Sequence, residues 1–153
     1  MLVLMCHAGE NRYAFDSAHV VEVVPSVNSD PVAGSPEWLA GVFAHRGLAT
    51  PLVDFTRLIT GHPCPCRWNS RIILARFDVE DMPEQIGLLT ERVTTAEIND
   101  QQRASTTGPS SGMEALGPIL LDDRGMFQLV DLSRLLTGDR RSAVQLDLSK
   151  GTS

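Results

Sequence analysis

One ten-residue stretch occurs twice in this chain, and that duplication limits its folds more than any other feature. Leu52-Val53-Asp54-Phe55-Thr56-Arg57-Leu58-Ile59-Thr60-Gly61 returns 77 residues later as Leu129-Val130-Asp131-Leu132-Ser133-Arg134-Leu135-Leu136-Thr137-Gly138, with seven of ten positions identical. Upstream, Gly41-Val42-Phe43-Ala44-His45-Arg46-Gly47 precedes the first copy. Gly117-Pro118-Ile119-Leu120-Leu121-Asp122-Asp123-Arg124-Gly125 precedes the second. Each half offers a glycine-led apolar strand, a polar turn ending in Arg-Gly, a second strand and a helical turn. Two copies at so long a period are not a solenoid, so two pseudo-equivalent β-rich halves are expected. Glycine belongs at each hairpin because it takes positive φ without a Cβ clash. Asp54 and Asp131 are expected to cap the short helices, with Gly61 and Gly138 ending them in a left-handed conformation.

The rest of the chain supplies further strands. Met1-Leu2-Val3-Leu4-Met5-Cys6 lacks a charged leader region and is too short to cross a bilayer, so it is expected to enter the fold at once. Arg12-Tyr13-Ala14-Phe15 follows the turn Gly9-Glu10-Asn11, and Val20-Val21-Glu22-Val23-Val24 is β-branched up to Pro25. Ile72-Ile73-Leu74-Ala75 reads as a strand buried on both faces. Ile86-Gly87-Leu88-Leu89 and Val93-Thr94-Thr95-Ala96 continue the series. No segment carries a long 3.6-residue apolar period, so the helices are short. Asn28 to Pro36 and Gln101 to Gly112 have loop composition. The length of 153 residues suits one domain. The expected organisation is a single domain over residues 1–139, made of subdomains near 12–77 and 78–139 with strand exchange allowed, then a polar tail over 140–153.

Catalytic equipment is thin. The sequence holds no Gly-x-Ser-x-Gly elbow, no Gly-Lys-Ser/Thr phosphate loop and no Gly-x-Gly-x-x-Gly. A net charge of −6 provides no overall basic field for nucleic acid. The best metal candidate, His62-Pro63-Cys64-Pro65-Cys66, lacks a second ligand pair and spaces its cysteines too closely for an ordinary zinc site. It reads instead as a proline-stiffened loop with exposed, reduced thiols, and no cofactor is expected. His19 and His45 are assigned structural roles, Glu80-Asp81 and Asp122-Asp123 solvated turns, and Trp38 a core position on a helical turn. Trp68, beside the cysteine loop, draws interest if it is exposed. A binding role remains. An arginine on a turn between apolar residues is the kind of group that anchors an interface, and Arg46, between Phe43 and Leu48, is one. It reads equally as a solvated turn arginine, and Arg124 reads more simply as one.

From about Leu2 to Leu136 the chain resembles the CheW family. The resemblance rests on blocks in order and spacing: Tyr13-Ala14-Phe15-Asp16 with Val20-Val21-Glu22-Val23-Val24-Pro25, and Trp38-Leu39-Ala40-Gly41-Val42 through Arg46-Gly47 to Pro51-Leu52-Val53-Asp54. Arg71-Ile72-Ile73-Leu74, Ile86-Gly87-Leu88-Leu89 with Val93, and Gln128-Leu129-Val130-Asp131 with Leu135-Leu136 complete it. The resemblance implies an all-β fold with a few short helices, in which two small five-stranded SH3-like β-barrels pack around a shared core. It implies a cytoplasmic adaptor without enzymatic activity, recruited to membrane-associated receptor arrays but not inserted in the membrane. One surface would meet the cytoplasmic tip of a methyl-accepting chemoreceptor, and another the regulatory domain of a CheA-type histidine kinase. Val20, Gly41, Arg46 and Gly87 match positions linked to those contacts, Gly41 and Gly87 through backbone geometry. Gly47 completes the Arg-Gly hairpin, and Val42 and Phe43 are expected beside Val20 on the apolar floor of a groove. Ala44-His45 stands where the family usually has Asn-Leu. That departure points to a divergent paralogue in a surface-sensing, pilus or second-messenger array. A small-molecule or metal sensor is the remaining alternative.

Overall fold

Short β-branched and apolar runs become strands wherever a partner strand covers their backbone groups. The computed structural model describes residues 1–77, 82–99 and 115–145. Within them lie nine strands: β1 (Leu2–Ala8), β2 (Asn11–Asp16), β3 (Val20–Pro25), β4 (Leu39–His45), β5 (Leu48–Asp54), β6 (Ser70–Ala75), β7 (Ile86–Glu97), β8 (Leu116–Asp122) and β9 (Gly125–Val130). A 3-10 turn, Ser17–His19, joins β2 to β3. The helices are short: α1 (Phe55–Thr60), α2 (Leu132–Leu135) and α3 (Asp139–Val144). The pair Glu80-Asp81, the loop Gln101–Gly112 and the chain beyond residue 145, expected above to be a turn, a loop and a tail, lie outside the described residues.

Strand pairing divides into two arrays of five that share β7. One runs β3-β6-β7-β5-β4 and the other β7-β1-β2-β9-β8. The first half of β7 pairs with β6 and, in parallel, with β5. Its second half pairs with β1. The two runs expected at 86–89 and 93–96 are thus one strand of 12 residues. It changes arrays at Arg92, whose φ of 53° breaks the regular pleat.

The duplicated sequence maps onto duplicated structure. Leu39 pairs with Val53 and Leu116 with Val130. The backbone NH of Asp54 donates to the carbonyl of Trp38 at 2.7 Å, and that of Asp131 to the carbonyl of Ala115 at 2.8 Å. Both strand–helix units lie parallel to a neighbour, β5 to β7 and β9 to β2. β1 and β2 lie with β8 and β9, because the second repeat takes its parallel partner from the start of the chain.

All five strands of each array contribute to one apolar interior, so each array is curled. The first encloses Phe43, Leu52, Ile72 and Leu74, with Val24, Ala40 and Leu89. The second encloses Val3, Met5, Ala14, Leu120 and Phe127, with Ala96 and Leu129. A third, larger cluster lies between them, where Phe55 packs edge-on against Tyr13 and Phe15. Gly61 ends α1 at φ 81° as expected, but Gly138 ends nothing. It stands at φ 57° as the residue before α3, while α2 stops at Leu136. Val144 of α3 is buried in the central cluster, so the fold continues past residue 139.

Candidate partner-binding surface

The β4–β5 hairpin closes on two residues, Arg46 and Gly47, since His45 pairs with Leu48. Both turn residues have positive φ, 51° and 80°, the signature of a type I′ turn. Glycine holds such a conformation at no steric cost, whereas for arginine it costs on the order of 1 kcal/mol. The Arg46 side chain is 72% exposed. Its Nη2 donates to Glu22 Oε1 at 3.1 Å, and His45 Nε2 lies 3.3 Å from Glu22 Oε2. Glu22 projects from β3. β3 and β4 are the outermost strands of the first array and share no backbone ladder. Side chains therefore bridge this seam at Glu22; on the opposite face of β3 Val21 and Val23 are exposed, and Leu48 is exposed on β5 directly after the turn.

Gly41 and Val42 work from within. Gly41 has φ 148°, and a Cβ there would sit 2.4 Å from the Asp30 carbonyl oxygen. Lacking one, it lets the segment around Ser29 and Asp30 lie on β4. Asp30 and Val42 exchange backbone hydrogen bonds of 2.8 and 2.9 Å, which cover the edge of β4 at that point. Val42 is half-buried. Phe43 lies inside the first barrel and is buried against Leu52 and Ile72. Its side chain packs in the interior, in step with the buried positions Leu39 and Gly41 of the same strand. Gly87 is also interior: a Cβ would come within 2.8 Å of Ile72 Cγ2 and 3.1 Å of Phe43 Cε1. Val20 opens β3 half-buried against the central cluster. Of the seven positions singled out from the sequence, Arg46 and Gly47 are exposed, Val20 and Val42 half-buried, and Gly41, Phe43 and Gly87 interior.

The other candidates separate clearly. Cys64 is buried, contrary to the exposed thiol expected of its loop. Its backbone NH donates to the buried Asp54 carboxylate at 3.0 Å, which folds the loop against the helix cap. Burial pushes the Cys6 thiol up to about 12 and the Cys64 thiol up to about 11. Only Cys66 is exposed. Among the described residues no cluster of His, Cys, Asp and Glu could hold a metal ion. Trp38 packs on the central cluster, whereas Trp68 is 88% exposed. Asp122 is more than a solvated turn: its carboxylate accepts from Arg12 Nη1 at 2.8 Å and Nη2 at 2.5 Å, tying β2 to the β8–β9 hairpin. Sequence reasoning passed over Arg12 as a charged partner and left Glu22 without a role. The signal available for Glu22 was one acid alone in a run of four valines.

A family model described as "CheW-like domain" matches residues 2–140. Among solved structures, the chain is similar to the scaffolding protein TtCheW from Thermoanaerobacter tengcongensis, with a TM-score of 0.73 at 21% identity. That match covers 91% of this chain and 94% of the other. It identifies the fold as the pair of small five-stranded SH3-like barrels, with the first and last strands of each array left unpaired with one another. A search of curated proteins gives no significant match. Among the described residues no helix is long and apolar enough to cross a membrane.

Proposed function

This chain belongs to the CheW-like domain family, and we propose that it is a non-catalytic adaptor coupling chemoreceptors to a CheA-type histidine kinase. The observation that carries this reading is Arg46, exposed at the tip of a strained two-residue turn and steered by Glu22 across the open seam. A side chain kept in a costly conformation at an exposed tip has a reason beyond folding. Its guanidinium presents donors in a fixed fork that suits charge-assisted hydrogen bonds to a partner's carboxylate or carbonyl groups. Leu48, exposed directly after the turn, gives apolar surface beside it, the combination expected at an interface hot spot. Val20, Gly41, Val42, Phe43, Gly47 and Gly87 serve by shaping that surface: the glycines permit the turn, the docked 29–30 segment and the packed interior behind it.

Signal then passes as a change in how receptor and kinase are held together, with no bond made or broken on this chain. His45 stands where the family usually has leucine, and its bond to Glu22 gives this hairpin its own charge pattern. That favours service in an array with partners distinct from the flagellar ones. The test is binding of the Arg46→Glu variant to the kinase regulatory domain and to a receptor tip fragment. Loss of at least one interaction, with unfolding midpoint unchanged, supports the assignment; wild-type affinity for both sinks it.

A further inference from the structure

We propose a second interaction surface, centred on Arg92 and flanked by Trp68 and Met126, that takes an acidic, partly apolar segment of a partner protein. It goes beyond the adaptor reading and shares no residue with the Glu22–Arg46 seam. Two cavities meet there. One, of about 440 Å³, is lined by Trp68, Asn69, Arg71, Arg92, Val93 and Thr94. The other, of about 620 Å³, is lined by His7, Glu10, Arg12, Arg92, Thr94, Arg124 and Met126, among others. Arg92 and Thr94 belong to both, so the two form one strip across the place where β7 changes arrays.

Trp68 is 88% exposed and Met126 66% exposed. Neither packs in any apolar cluster of the fold. The backbone of the loop that carries Trp68 is nevertheless tied down. Arg71 Nη1 donates to the Trp68 carbonyl at 2.7 Å, Ser70 Oγ donates to the Pro65 carbonyl at 2.6 Å, and the Arg67 NH donates to Ser70 Oγ at 3.0 Å. An exposed tryptophan on a pre-ordered loop loses little entropy when a partner covers it. Tryptophan and arginine are the residues that most often carry interface energy.

Charge selects the partner. In a chain of net charge −6, this strip collects Arg71, Arg92 and Arg124. No ion pair occupies Arg92 or Arg124 among the described residues. The opposing acids are few. Asp122 is taken by Arg12, Glu91 is buried and lies 3.9 Å from Arg67, Glu10 lines the cavity, and the exposed Asp123 precedes Arg124 on the hairpin. His7, in the same cavity, is held below its ordinary pKa first by burial and then by the neighbouring Arg92 and Arg12 charges. Arg92 keeps φ 53° in mid-strand, which aims an exposed guanidinium from a backbone that its side chain disfavours. Carboxylates on the arginines and apolar side chains on Trp68 and Met126 would satisfy both halves of the surface.

The probe is a synthetic peptide alternating glutamate and leucine, titrated into the full chain. Trp38 is half-buried, so the exposed Trp68 reports directly through a blue shift of its emission. The expected result is a saturable shift, weakened by salt and absent with a lysine–leucine peptide. Affinity by anisotropy falls about tenfold or more in Trp68→Ala and in Arg92→Glu, and is unchanged in Arg46→Glu. Arg124→Glu, on an exposed hairpin, gives the same test with no buried contact at stake. The proposal is overturned by absence of saturable binding or by equal affinity in the charge-reversed variants. It is equally overturned if inorganic phosphate reproduces the shift and displaces the peptide, which would mark a free-anion site.

Discussion

Arg46 holds a conformation that asparagine would hold more easily, because Asn-Gly is the favoured pair for a two-residue turn with both φ positive. Arg46→Asn is therefore expected to gain about 0.5 kcal/mol in stability. Relief of on the order of 1 kcal/mol of backbone strain exceeds the small worth of an exposed ion pair, ~0–1 kcal/mol. Partner binding should fall at the same time; urea unfolding beside a binding titration reads both, and a destabilised variant with intact binding contradicts the assignment. Gly87→Ala makes the opposite separation. Its Cβ would crowd Ile72, Phe43 and Leu52, and overpacking of this kind costs about 1–3 kcal/mol, so the defect appears in unfolding rather than at the seam. The thiols give a third outcome: a thiol reagent at neutral pH should modify Cys66 alone, with Cys6 and Cys64 reacting only after denaturation. At this scale the sequence was uneven. Arg46 was visible because turn composition is local. Glu22, 24 residues away, was not, because nothing local pairs a strand acid with a distant hairpin.

Elements were legible where their signals are short-range. Asp54 and Asp131 cap α1 and α2 as their place in the repeat implied, each accepting from a backbone NH at 3.0 Å. The continuous β7 was not legible, because its second half pairs with β1, distant in sequence, and the strand passes through a left-handed arginine that no propensity suggests. Gly138 misled for a related reason: α2 lacks the length to reach it, so the glycine begins the next helix instead. The Arg12–Asp122 pair carries a pH-dependent prediction. The hydrogen bonds from Arg12 hold the Asp122 carboxyl below its ordinary value. A folded pKa depressed in this way contributes stability that is present above the unfolded value of about 4 and is lost as pH falls through the folded value. Asp122→Asn should therefore lower stability near neutrality by about 1–2 kcal/mol and flatten the acid limb of stability against pH. An unchanged acid limb would mean that the pair does not fasten β2 to the β8–β9 hairpin.

In the whole molecule, the central cluster couples the two barrels by drawing residues from both repeats and from the N-terminal strands. Phe55, fully buried with Tyr13 at 5.5 Å and Phe15 at 5.0 Å between ring centroids, stands at the middle of it. Phe55→Ala should cost about 3–5 kcal/mol and lower a single cooperative transition rather than split it, because β7 belongs to both barrels. The duplication made two β-rich halves readable, but not that the chain's first strands complete its last barrel. The function proposed for this architecture requires the molecule to join other proteins without changing them. The most direct measurement is calorimetric titration of the full chain against the regulatory domain of a CheA-type kinase at fixed salt, repeated with Arg46→Glu and Arg92→Glu. Saturable one-to-one binding, weakened about tenfold or more by Arg46→Glu and untouched by Arg92→Glu, is the predicted result. Binding that ignores Arg46→Glu, or no binding by the unaltered chain, would contradict an adaptor working through the seam between β3 and β4.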